Sequence, residues 1–306
     1  MVQCLGEQEG KLHQSVELGF SVLCMLGEDF PRKPKLWHII KELLKVRRVL
    51  KGQTDDDLLD LPPMEDKDRL ACMTIMNSIT FATFADEDSK IHFALIALRM
   101  MTMTCLHGHT TWSPSIFAKY GGIEAASGNV EAAHRFQDLF RRLVARLPSK
   151  QAENRGLLIL HGLLSQWYES YPTALEGSRK GYVIGMECGD FDYALYNANH
   201  YICFALFSRV GLTQIENDAS IFCQQMLDFK LNPIWIVTLP MWQLSLNLIG
   251  YPVDDRGVLS GEELDLEQFQ AHLGNGNLLA KQILIVFRTL LALIFDRYDI
   301  LEELFT

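Results

Sequence analysis

The fold class predicted by the sequence is all-α, with antiparallel helix pairs stacked as an α-solenoid, and three observations predict it. Apolar residues recur at helical spacing along nearly the whole chain. No run of four to eight residues alternates between apolar and polar with hairpin-turn residues at its ends, so no strand is expected. One turn pattern is used twice, as GNVEAA from Gly128 to Ala133 and as GDFDYA from Gly189 to Ala194. Glycine reaches the left-handed conformation that ends a helix at little steric cost, and an Asn or Asp after it can accept from the free N–H groups of the next helix. Gly189 is therefore expected to close one helix and Asp190 to open and cap another, with Asn129 taking the capping role upstream.

The helical elements follow in order. Leu12, Val16, Phe20 and Leu23 lie at helical spacing, and Gly27 is a stop before Pro31. In the next helix Leu36, Ile39, Ile40, Leu43, Leu44 and Leu50 form one apolar stripe, expected to be the buried side, while Lys41, Lys45, Arg48 and Lys51 lie largely off it. A basic amphipathic helix of this kind suits a membrane surface or a calmodulin-like partner; the plainer expectation is a solvated charged face. In the acidic segment from Thr54 to Asp66, Pro62 and Pro63 forbid a continuous helix. Helices are expected over 67–85 and 89–106, followed by a loop holding His107, Gly108 and His109. Two histidines so close could ligate a metal, but no third or fourth ligand stands nearby at zinc spacing, so a surface loop is expected.

The remaining helices are expected as pairs: 113–127 with 130–147, 151–171 with 172–188, and 191–210 with 212–231. The turn at Gly128 then falls within a pair and the turn at Gly189 between pairs, so the two mark one cap chemistry used twice and not a strict repeat register. From Leu231 to Val253 there is no charged residue, and a membrane span needs about 20 apolar residues. Asn232, Pro233, Pro240, Gln243, Ser245, Asn247 and Pro252 interrupt this stretch, which predicts a buried pair of short helices broken at Pro240. Residues 251–277, rich in glycine and acids, are expected to form a long loop with one short helix. Within them DDRGVLSGEEL resembles half an EF-hand loop, but Pro252 and Arg256 stand where oxygen ligands belong, so no calcium is expected. The helix from Leu278 to Phe295 carries Lys281 and Arg288 on one face and is expected to be buried on most sides.

A chain of 306 residues with a formal net charge of −10 has no basic footprint for nucleic acid. Its seven cysteines form no CxxC pair, which fits reduced thiols in the cytoplasm, and the N-terminal residues lack a signal-peptide pattern. Because stacked helix pairs grow along one axis, residues 1–306 are expected to be a single helical-repeat region, with a sub-boundary near 107–112. His92, His134, His161 and His200 share no spacing with a nucleophile, and the chain has no GxxxxGK[ST] loop, no kinase HRD or DFG and no histidine-kinase ATP lid. No catalytic residue, cofactor or metal is expected.

Two resemblances refine this. The G-[ND]-apolar-[DE]-x-A turn, with Phe117, Tyr120 and Gly121 upstream, resembles the tetratricopeptide helix–turn–helix, in which small residues in the first helix and after the turn let the helices pack closely. The order LGEDFP, DLLDLPPM, KYGGIEAASGNVEAAHRF and GMECGDFDYALYNANHY is similar to the helical linker of very large signalling proteins. Those carry a serine/threonine-kinase-like domain and a predicted AAA-type ATPase module ahead of the linker, and often a sensor domain and histidine kinase after it. The resemblance implies a non-catalytic scaffold or relay segment, part of a longer chain, whose partners are protein domains or peptides, foremost flanking domains of the same polypeptide; the acidic charge balance argues against nucleic acid, and the interrupted apolar stretch argues against a membrane. Tyr120, Glu124, His161 and Trp167 are the residues expected on its partner-binding groove. A freestanding helical regulator that binds a small ligand or peptide is the alternative.

Overall fold

A computed structural model describes residues 12–85, 89–165, 168–250, 255–273 and 278–305. Among the described residues the regular structure is helical, and a bridge between Pro63 and His109 is the one strand-like pairing. The chain divides into two compact units, Met1–Tyr168 and Glu169–Thr306. The division falls after Tyr168, and the expected sub-boundary at 107–112 lies inside the first unit.

The first unit contains α1 (Leu12–Met25), α2 (Leu36–Leu50), α3 (Asp55–Leu59), α4 (Lys67–Ala85), α5 (Lys90–His107), α6 (Ser113–Ala126), α7 (Val130–Arg146) and α8 (Lys150–Ile159). Helix α1 packs on α4, and α2 on α5. Helix α6 is central: every residue from Ser113 to Gly122 is buried, and α7 and α8 lie against it. A helix enclosed on all sides has no polar stripe to reveal it, which is why α6 shows little amphipathic pattern. The close approach of α6 and α7 is made at Gly121, where an added Cβ would stand 3.2 Å from the Phe136 Cβ and 3.4 Å from the Ala133 carbonyl. Phe136 is edge-on to Tyr120 with ring centroids 4.6 Å apart, and Ala133 is fully buried. The small residues upstream of and after the Gly128 turn thus do what the sequence expects of them.

Two expectations for this unit change. The helix expected over 151–171 ends as α-helix at Ile159 and continues as one π-helical turn, Leu160–Leu164. The segment His107–His109 is not a surface loop. Gly108, with φ of 103°, turns the chain so that the His109 N–H donates to the Pro62 carbonyl at 2.7 Å and the Met64 N–H to the His109 carbonyl at 2.8 Å. That pairing draws the His109 ring into the core beside Leu58 and Leu59, where burial pushes its pKa down. The acidic segment is tied in from the other side: Asp55 meets Arg135 at 2.6 Å, Asp56 meets Arg142 at 2.7 Å, and Asp60 pairs with Arg146, all three arginines lying on α7.

The second unit contains α9 (Tyr171–Cys188), α10 (Phe191–Leu206), α11 (Leu212–Asp228), α12 (Asn232–Ile249), α13 (Leu266–Leu273), α14 (Leu278–Ile294) and α15 (Tyr298–Phe305). Helices α9 and α10 pair closely about Gly189, and α11 and α12 pair about Lys230. The turn at Gly189 therefore lies within a pair, as the one at Gly128 does, and the expected clash of register is overturned. The reason is the unit boundary between α8 and α9, which leaves α9 to pair forward. Both turns close with the same bonds: the Asn129 N–H to the Glu124 carbonyl and the Asp190 N–H to the Gly185 carbonyl, each 2.9 Å, with Gly128 and Gly189 left-handed. Asn129 caps α7 by accepting from the Ala132 N–H at 3.3 Å. Asp190 is buried and makes no such cap on α10.

Helix α12 runs unbroken through Pro240, contrary to the expected break. A proline removes one helical hydrogen bond, but here every residue from Val237 to Asn247 is buried in the core with Leu195, Ile202, Met226, Leu284 and Phe287, and packing holds the helix together. Its polar residues are engaged: the Asn199 amide donates to Thr238 Oγ1 at 2.9 Å, and the Asn247 amide donates to the Val258 carbonyl at 2.7 Å and the Arg256 carbonyl at 3.1 Å. Gln243 Oε1 accepts from the Leu264 N–H at 3.1 Å. Side chains of α12 thus pin the following loop, which holds one short helix, α13, as expected. Residues 251–254 and 274–277 of that loop, Asp254 of the EF-hand-like sequence among them, lie outside the described residues.

Candidate interaction surfaces

Three of the four residues expected on a groove are enclosed. Tyr120, Glu124 and His161 are all buried, and Trp167 lies outside the described residues. Glu124 sits at the end of α6 and gathers four donors: Arg47 of α2 through Nη2 at 2.8 Å and Nε at 3.2 Å, the Tyr120 hydroxyl at 2.5 Å, and the Asn129 amide at 2.8 Å. Burial pushes its carboxyl up, but the hydrogen bonds from Arg47, Tyr120 and Asn129 outweigh this and hold it below the usual glutamate range. Burial and the neighbouring carboxylate push the Tyr120 hydroxyl well above its ordinary value. This cluster ties α2 to the α6–α7 turn. His161, in the π-helical turn, is pushed down to about 4 by burial, with Arg141 adding to the effect, so it is neutral at physiological pH. Both arrangements are internal supports.

Four exposed large apolar side chains of the first unit lie together on α2, and they overturn the expected orientation of that helix. Glu42 and Val46 face inward, whereas Leu36 is 70% exposed, Trp37 54%, Ile40 56% and Leu44 59%. Arg99 of α5 explains the rotation. It is largely enclosed, lies 5.0 Å over the Phe30 ring, and takes Glu42 as partner at 3.1 Å, together with Glu28. A buried cation without a carboxylate is far more costly than a few exposed leucines. Turning Glu42 toward Arg99, and Arg47 toward Glu124, leaves Ile39, Leu43 and Leu50 half-buried and the Leu36–Ile40–Leu44 line outside.

The segment that holds this face is strongly basic. From Arg32 to Lys51 there are eight Lys and Arg residues and one acid, Glu42, in a chain whose net charge is −10. Among the described residues, Lys45 pairs with Glu42 and Arg47 with Glu124, while Arg32, Lys33, Lys35, Lys41, Arg48 and Lys51 form no ion pair. Of the aspartates that follow, Asp55, Asp56 and Asp60 pair with arginines of α7, Asp57 accepts from Thr54, and Asp66 pairs with Arg69.

In the second unit α14 carries six exposed large apolar side chains, and others stand on α9, α11 and α15. Leu278, Leu279, Ile285, Val286, Leu293 and Ile294 are exposed, whereas Arg288 is buried and reaches Glu303 of α15 at 3.1 Å. The expectation of a helix buried on most sides is therefore corrected. Its outward stripe, Leu278, Gln282, Ile285, Val286 and Leu293, carries no charge, and the half-buried Lys281 borders it beside Leu278 and Ile285.

No group of three His, Cys, Asp or Glu among the described residues is placed to hold a metal ion, and no described helix is long and apolar enough to cross a membrane. No disulfide forms among the six described cysteines, and burial pushes the Cys105 and Cys223 thiols up to about 12. Such thiols are poor nucleophiles. Comparison with protein-family models, with curated proteins and with solved structures finds no match to this chain.

The sequence misplaced these surfaces because it assigned the apolar stripes to the core. The contrary signal was present in the single charges of otherwise apolar helices. Arg99 is the one charge in α5 after Lys90, and Glu42 the one acid in a basic stretch; two such residues buried by their surroundings find each other.

Proposed function

We propose that this chain is a non-catalytic interaction scaffold whose helix pairs, within each unit, are stacked in the tetratricopeptide manner and whose α14 face receives a protein domain or helical peptide. The observation that carries the proposal is the uncharged apolar stripe of α14. Exposed, contiguous apolar surface free of charge marks a protein–protein contact, since a charged residue within it would be costly to desolvate on binding. The close-packed pairs about Gly128 and Gly189 support the repeat reading. The partner is a flanking domain of the same polypeptide, and the setting is a cytoplasmic multidomain ATPase/kinase signalling protein in which the scaffold relays a signal, as the sequence resemblance implies.

Sedimentation velocity tests this. An uncovered stripe of this kind drives self-association, so the chain is expected to form reversible oligomers at micromolar concentration. Val286→Glu with Leu293→Glu is expected to return it to a monomer without lowering its melting temperature, because both side chains are exposed. A wild-type monomer, or oligomers indifferent to the substitutions, would remove the support for this face as a docking site.

A further inference from the structure

We propose that the outward face of α2 docks the protein peripherally on a lipid bilayer surface rich in anionic headgroups, a partner beyond the protein domains assigned to α14. Three features of the face lead to this. Leu36, Ile40 and Leu44 follow at i, i+4 and i+8, so they lie on one line along the helix and meet a flat surface together. Each is more than half exposed, so they stand on a crest. A helical peptide needs a groove to bury its apolar side, whereas the crest of a single helix is the shape that enters the headgroup boundary of a bilayer.

The flanks supply the second feature. Trp37, Lys41 and Arg48 adjoin that line, and Lys33, Lys35 and Lys51 stand at its two ends. Tryptophan favours the membrane–water interface, and long basic side chains keep their heads in the headgroup layer while their stems cover apolar surface. Four to eight Lys or Arg on an amphipathic helix are the composition that recognises phosphatidylserine or phosphoinositide surfaces. Helix α2 itself carries four, Lys41, Lys45, Arg47 and Arg48, of which Lys41 and Arg48 form no ion pair among the described residues, and Arg32, Lys33, Lys35 and Lys51 flank it.

The third feature is contrast of charge. A protein of net charge −10 is repelled as a whole by an anionic bilayer, so only a segment with its own excess of positive charge can approach one. Arg32–Lys51 has seven more basic than acidic residues, eight against one, and its one acid is turned inward on Arg99. The α14 stripe has no such charge and is not part of this contact.

Flotation of the full chain with vesicles tests the proposal. The expected result is binding to phosphatidylcholine vesicles containing phosphatidylserine, weak or no binding to phosphatidylcholine alone, and loss of binding as salt rises. Lys41→Glu and Arg48→Glu are each expected to weaken binding by about fivefold or more, and Ile40→Asp with Leu44→Asp to abolish it. All four residues are exposed, so the circular dichroism spectrum should not change, and Val286→Glu on α14 should leave vesicle binding intact. Equal binding to both vesicle types, absence of binding, or binding indifferent to the α2 substitutions would overturn it. Capture of an acidic amphipathic helical peptide by this face without vesicle binding would assign it to a protein partner and overturn it equally.

Discussion

His161 is a basic group kept neutral by its surroundings, and this has a direct consequence for stability. Its pKa falls from the ordinary 6.5 to about 4 in the folded chain. Between those values the unfolded chain binds a proton at this site that the folded chain does not, so stability falls as pH drops from 6.5 toward 4 and is constant above 6.5. The shift corresponds to about 3 kcal/mol at the acid end. His161→Gln removes this titration. Denaturant unfolding at a series of pH values should therefore show wild type losing stability relative to the variant by about that amount between neutral pH and pH 4; parallel curves would show that the ring is not held neutral. Glu124 acts with the opposite chemistry but in the same direction. Its depressed carboxyl contributes stability that is complete above the ordinary value of 4.5 and lost as pH falls below it.

At the scale of elements, two helices share a rule that amphipathic pattern alone does not reveal. In α2 and α14 a charged side chain, Glu42 or Arg288, is turned into the unit, and large apolar side chains are left outside. Periodicity located both helices to within a residue or two, because spacing survives any rotation about the helix axis. It misjudged which face is buried, because that depends on a partner distant in sequence, Arg99 for Glu42, and no local pattern encodes it. The continuity of α12 through Pro240 failed in the same way: a helix-breaking residue was outweighed by burial on all sides. The turns were the most legible feature, since left-handed glycine is a local requirement. The hairpin of α9 and α10 about Gly189 makes a sharp test. Ala194 is fully buried there, so Ala194→Glu combines overpacking, about 1–3 kcal/mol, with a buried unpaired charge. A drop in the melting midpoint of several degrees or more is expected, and an unchanged midpoint would show that α10 does not approach its neighbours as described.

At the scale of the whole molecule, the chain closes two cores that are each contiguous in sequence. The buried side chains of one lie between Leu23 and Leu143, those of the other between Ala174 and Leu291. The sequence, read as a single repeat region, did not reveal this, because helix periodicity is the same within a core as across a boundary. Only the pairing partner of α9 distinguishes the two cases. Since the second core draws on no residue before Ala174 and contains both the α9–α10 and α11–α12 pairs, residues 169–306 expressed alone are expected to fold. Contacts between helices close in sequence also favour rapid folding, because little loop entropy is lost before packing begins. The measurement is a helical far-ultraviolet spectrum together with a cooperative thermal transition for that fragment. Leu284→Ala, at a buried position of α14, should lower its stability by about 2–5 kcal/mol. A fragment that is helical but melts without cooperativity, or that is indifferent to Leu284→Ala, would mean that the second unit does not hold a packed core of its own.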